Sequence, residues 1–188
     1  MLSEKLKENT KNNHRLLEKK LIVRIKSIRN KQDYSELLTV FYSFFGGLEV
    51  AIDACLDLLY LPDYPQRRKT AAIAEDLIKL GAVLPVLAST DTLPVIHDNF
   101  QALGALYVIE GSTLGGKGIS KMISQQLNLT DLSALSFFNG YGDHTERMWQ
   151  DFKQSIERPL NSLEGDIIIQ SANDTFIKFS HWVDFTGN

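Results

Sequence analysis

LSEKLKENTKNNHRLLEKKLIVRIKSI, residues 2–28, sets the architecture. At about 100° per residue, Leu6, Leu17, Leu21, Ile25 and Ile28 fall within one arc of roughly 100°, which predicts a long amphipathic helix from Leu2 to Ile28. The same periodicity recurs downstream. Asp33 caps a second helical pattern that runs from Tyr34 to about Tyr60, and the segment YLPDYPQ, residues 60–66, ends it. A third helix is expected from about Arg67 to Leu80 with Gly81 as its stop, followed by a short one after Pro85. Pro94 precedes a long pattern from about His97 to Leu127, interrupted by Gly111, Gly115, Gly116 and Gly118. After a loop around FFNGYGD, residues 137–143, Asp143 or Thr145 starts a helix that reaches Leu163 and is kinked near Pro159. A last helix runs from Asp166 to about Val183, although the β-branched run Ile167 to Ile169 would equally suit a strand. The expected fold class is all-α.

The chain has 188 residues. At roughly 100 to 200 residues per domain, residues 1–188 read as one domain with a single core. Hydrophobic residues make up 44% and charged residues 23%, an ordinary globular mixture rather than a disordered or low-complexity one. Twenty basic against 23 acidic side chains leave a net charge of -3, which gives no global electrostatic case for nucleic acid or an anionic membrane as a partner. The single cysteine, Cys55, cannot form an internal disulfide or supply a cysteine zinc site. The first residues are charged throughout, and no apolar run approaches the 18 or more residues of a membrane span. A cytoplasmic protein is the expectation.

Two features stand out against this background. His14 falls between Leu21 and Ile25 in the helical projection, inside the apolar arc. One reading is a core histidine bonded to a neighbour; the other is a ligand presented to a metal or a heme iron, which needs an imidazole nitrogen without a protein partner. Lys7 lies two turns earlier on the same face, and Glu18 one turn later. The second feature is GSTLGGKG, residues 111–118, whose four glycines together forgo roughly 3 to 4 kcal/mol of helix preference. A phosphate cradle of the G-x-x-x-x-G-K type is complete through Lys117, but Gly118 stands where a Ser or Thr should follow. Close helix packing and backbone contact with a flat, bulky ligand are the other two readings. No Glu-x-x-His, H-E-x-x-H, C-x-x-C or G-x-S-x-G occurs, which sets aside di-iron, zincin, redox-dithiol and nucleophile-elbow chemistry.

The chain resembles the heme oxygenases. KENTKNNHRLLEKKL, residues 7–21, is similar to the family's proximal helix, with Thr10, Lys11, His14 and Glu18 at its spacing. LYVIEGSTLGGKGISKMI, residues 106–123, resembles the distal helix, above all that of bacterial members associated with bacteriophytochromes. FFNGYGDHTERMWQDFKQSIERPLNSLE, residues 137–164, resembles the segment that follows. The resemblance implies a helical fold that sandwiches heme, with His14 as axial iron ligand and Glu18 as its orienter. Gly111, Ser112, Gly115 and Gly116 would pass over the distal face, leaving room for oxygen to reach a meso carbon. Lys7 and Lys153 would pair with the propionates. Lys11 and Tyr107 would be further heme contacts, and Phe137, Phe138 and Phe176 would line the apolar pocket.

The implied reaction is oxygen-dependent cleavage of heme, at once substrate and cofactor, to biliverdin, carbon monoxide and ferrous iron. Electrons would come from a separate ferredoxin or reductase, and a biliverdin-binding photoreceptor is a conceivable recipient of the product. Two departures mark this chain. Ser112 stands where well-known members carry an aspartate, and Glu157, with Arg158 beside it, stands where they carry a propionate-binding arginine. A heme carrier or sensor that does not cleave, or a helical relative that binds another small molecule, are the alternative classes of function.

Overall fold

The computed structural model describes residues 1–186. Among them are eight α-helices, three short 3-10 turns and no β-strand. The helices are α1 (Leu2–Ser27), α2 (Lys31–Asp53), α3 (Ala71–Lys79), α4 (Asn99–Gly111), α5 (Thr113–Gln126), α6 (Ser136–Asn139), α7 (Thr145–Ile156) and α8 (Ser162–Phe185).

The all-α expectation holds, and its boundaries shift for local physical reasons. Asn30, not Asp33, caps α2: its side chain accepts from the Asp33 amide, while Asp33 in turn accepts from the Arg29 amide. The expected helix start at Arg67 moves to Ala71, because residues 67–70 are drawn into a network of buried polar contacts. No helix forms after Pro85. The expected kink near Pro159 is a full break, and Asn161 and Glu164 restart the chain as α8 through a reciprocal capping box. Ile167 to Ile169 are helical within α8.

α8 is the central strut, packing α4 on one side and α1 on the other. At Gly104 a Cβ would lie 2.5 Å from the Ile168 carbonyl oxygen, so glycine lets α4 and α8 approach backbone to backbone. α2 contributes Phe41, Phe44 and Phe45, which pack against Phe179 of α8 and Phe137 of α6. α2 is long and apolar enough to cross a membrane, but 67% of that stretch is buried inside the fold. The irregular segment between α3 and α4 straps α2, with the Ala88 amide donating to the Ser43 carbonyl at 2.9 Å.

α1 is held along its length and at both ends. Asn13 donates to Asn173, and Lys20 to Asp184, across the interface with α8. At its start, the Leu2 and Ser3 amides each donate to the Glu157 carboxylate at 2.8 Å, an N-terminal cap supplied from 155 residues away. At its far end, the Gln126 amide at the close of α5 reaches the carbonyls of Ile25, Lys26 and Ile28.

Candidate functional site between the first and fifth helices

α1 is tied to α5 at its C-terminal end and to α4 nearer its start. The C-terminal junction is the Gln126 contact. At the other, Thr10 of α1 lies against Tyr107 of α4, whose ring is 5.4 Å from that of Trp149; Trp149 in turn lies against Gly111. Between these junctions α1 presents His14 and Glu18, and α5 presents Gly115 and Gly118.

His14 is more exposed than its place in the apolar arc implies, and this corrects the reading of a buried core histidine. Its side chain is 51% exposed, so this part of the arc is not covered by the core. One ring nitrogen, Nε2, is 3.4 Å from Glu18 Oε1, and the ring packs 5.3 Å from Phe176 of α8. The other nitrogen has no partner among the described residues. That is the state a metal ligand needs.

Gly111, which ends α4, and the three glycines of α5 divide by facing. A Cβ at Gly115 or Gly118 would meet nothing within 4 Å, whereas one at Gly111 would touch Trp149 at 3.8 Å. Gly116 departs from the expectation of a distal-face glycine: a Cβ there would fall onto the Phe138 carbonyl oxygen, so its bareness serves packing against α6. Gly118 joins the open side instead. It follows Gly115 at i+3, the spacing of one helix face. Only the four-glycine count drew notice to it in the sequence.

The remaining expected contacts sort by position. Phe176 is buried beside His14. Phe137 and Phe138 are buried in the aromatic core, against Phe41. Asp76 holds them there by accepting from the Ser136 hydroxyl and the Ser136 and Phe137 amides at the start of α6. Lys153 of α7 lies 5.8 Å above the Trp149 ring. Lys7 is exposed with no anionic partner among the described residues, and Lys11 is 4.0 Å from Glu8. The two departures acquire local explanations. Glu157 caps α1, and its donors outweigh the effect of burial and hold its carboxyl below the usual range. Arg158 donates to the Leu59 and Tyr60 carbonyls and stacks 4.5 Å over the Tyr60 ring, so it is committed elsewhere.

Behind the α4–α5 break at Ser112 lies a polar cluster that sequence reasoning missed. Arg67 and Glu110 form a buried pair at 2.7 Å, with Asp63 on the other side of the guanidinium and the Tyr141 hydroxyl at 3.0 Å from the Glu110 carboxylate. Burial raises the Glu110 carboxyl despite Arg67 and Arg68. Arg68 donates to the Ser112 hydroxyl at 2.9 Å. The one available signal was Glu110 itself, a lone charge inside the apolar run ALYVI–GST.

The described residues thus form an all-helical body in which His14 keeps one ring nitrogen without a partner and α5 is bare at Gly115 and Gly118. The chain belongs to the heme oxygenase family, whose model matches residues 1–184. It is 32% identical over 130 residues to a heme oxygenase of Xanthomonas campestris pv. campestris, covering 69% of this chain and 74% of that one. Its fold is that of the heme oxygenase from Leptospira interrogans, with a TM-score of 0.76 at 20% identity and 98% of each chain covered. Heme oxygenase-1 from the cyanobacterium Synechocystis, solved in complex with heme, superposes with a TM-score of 0.74 at 18% identity, covering 98% of this chain and 91% of that one.

Proposed function

We propose that the chain cleaves heme to biliverdin, carbon monoxide and ferrous iron in the cytoplasm, using oxygen and electrons from a separate ferredoxin or reductase. The observation that carries this reading is the pairing of an unpartnered His14 nitrogen with open backbone at Gly115 and Gly118. The residues present fit the group: a ring nitrogen for the iron, bare helix for the porphyrin face, an apolar wall at Phe176 and uncommitted cations at the rim.

Heme, when bound, supplies the iron that activates oxygen. His14 would hold the iron through its unpartnered ring nitrogen, and Glu18, 3.4 Å from Nε2, would orient the imidazole by accepting from that second nitrogen. Gly115 and Gly118 admit the other face and keep water-binding side chains out. Lys7 and Lys153 meet the propionates, with Lys11 and Tyr107 at the periphery. A biliverdin-binding photoreceptor is one recipient of the product.

Titration of hemin into the wild type and His14→Ala tests the binding step. The wild type should develop a histidine-ligated spectrum that the variant lacks. Under oxygen with ascorbate or a ferredoxin system, the Soret band should then fade as biliverdin appears. A spectrum unchanged by the substitution would overturn the ligand assignment, and a Soret band stable under turnover would overturn cleavage in favour of a carrier or sensor.

A further inference from the structure

Arg67 and Arg68 are adjacent, yet their charges meet different partners. The Arg67 guanidinium is matched by two carboxylates, Asp63 and Glu110, each at 2.7 Å. The Arg68 guanidinium has only uncharged acceptors: the Phe137 carbonyl at 2.9 Å, the Ile109 carbonyl at 3.3 Å and the Ser112 hydroxyl at 2.9 Å. It lies 4.2 Å from the centre of the Phe137 ring, and its own backbone amide donates to the Tyr141 hydroxyl at 2.8 Å. Burial draws its pKa down to about 10, against the opposing influence of Glu110 and Tyr141. Arg67 and Arg68 together balance Asp63 and Glu110, and of these four charges Arg68 is the one bonded to the Ser112 hydroxyl.

The Ser112 hydroxyl is committed as well. It donates to the Ile109 carbonyl at 2.6 Å while accepting from Arg68. Its proton is therefore unavailable to a ligand on the open side of α5, and the polarity it transmits is that of the arginine behind it. A cavity of about 20 Å³ lined by Arg67, Arg68, Glu110 and Thr70 adjoins the cluster, with room for about one water.

We propose that Arg68 is a positioning residue for the face opposite His14: it locks the α4–α5 break at Ser112 and makes that face favour anionic over neutral ligands. The proposal rests on the heme-binding reading above.

The test uses the ferric heme-loaded protein at neutral pH, comparing wild type, Arg68→Met and Arg68→Lys. Azide, an anion, and imidazole, a neutral ligand, are titrated into each and followed by absorption. Arg68→Met should weaken azide about tenfold, the worth of about one pK unit of charge interaction, and leave imidazole within about twofold. Arg68→Lys should recover most of the azide affinity although it cannot form the same fork of bonds. A purely structural arginine would instead weaken both ligands together in both variants. That outcome, or an unchanged ratio of azide to imidazole affinity, overturns the proposal. If Arg68→Met fails to fold, Arg68→Gln, which keeps hydrogen bonding without charge, is predicted to show the same selective loss of azide. Failure of the wild type to bind heme would overturn the functional reading and this inference with it; normal heme binding with no azide effect would overturn the inference alone.

Discussion

Two adjacent glycines on α5 meet opposite environments, and a single methyl group distinguishes them. In Gly116→Ala the new carbon would collide with the Phe138 carbonyl of α6, a backbone atom with little freedom to yield. That substitution should destabilise the protein by roughly 1 to 3 kcal/mol or more in urea unfolding. Gly115→Ala meets open space and should stabilise the heme-free protein by up to about 1 kcal/mol through helix preference, while weakening hemin binding. A second prediction at this scale concerns Glu157. Its carboxyl is depressed in the fold, so its contribution is fully present above the ordinary value of 4.5 and is lost as pH falls through the lower folded value. Glu157→Ala should therefore cost about 1 kcal/mol near neutral pH, the usual worth of a helix cap. Thermal melts as a function of pH should show the gap between wild type and variant closing in acid.

At the scale of elements, legibility followed the range of the forces. α1 was readable from its own spacing because Leu6, Leu17, Ile25 and Ile28 are all buried as the arc requires. The start of α8 is written locally too, in the Asn161 and Glu164 capping box, although Pro159 two residues earlier by itself suggests only a kink. The start of α3 was not local: Arg67 and Arg68 take partners 41 to 81 residues further on, and no window of sequence contains them. The site divides in the same way. His14 is marked by its place in the apolar arc, Glu18 by its i+4 spacing and Gly115 by the local density of glycines, whereas their roles come only from the resemblance. Whether an apolar face lines a core or an opening depends on what stands across from it, which is why the exposure of His14 escaped the projection. Facing also separates Gly116 from Gly118, and α6, whose carbonyl decides the matter, owes its position to Asp76, 60 residues before Ser136.

For the molecule as a whole, the fold distributes support unequally around the opening. α1 is backed by α8 along its length and capped by Glu157. α5 begins at the break held by Arg68, ends at the Gln126 tie and has glycine at three of its fourteen positions between. Hydrogen–deuterium exchange on the heme-free protein should find the amides of residues 114–122 exchanging faster than those of the inner turns of α1. Hemin should slow them selectively and raise the melting temperature with its concentration. A signal spread evenly over both helices would contradict this division. The double anchoring of α5 also carries a kinetic expectation for the proposed heme site. A segment fixed at both ends would admit a ligand by bowing rather than swinging clear, so stiffening it, as in Gly115→Ala, should slow both hemin entry and release in stopped-flow measurements.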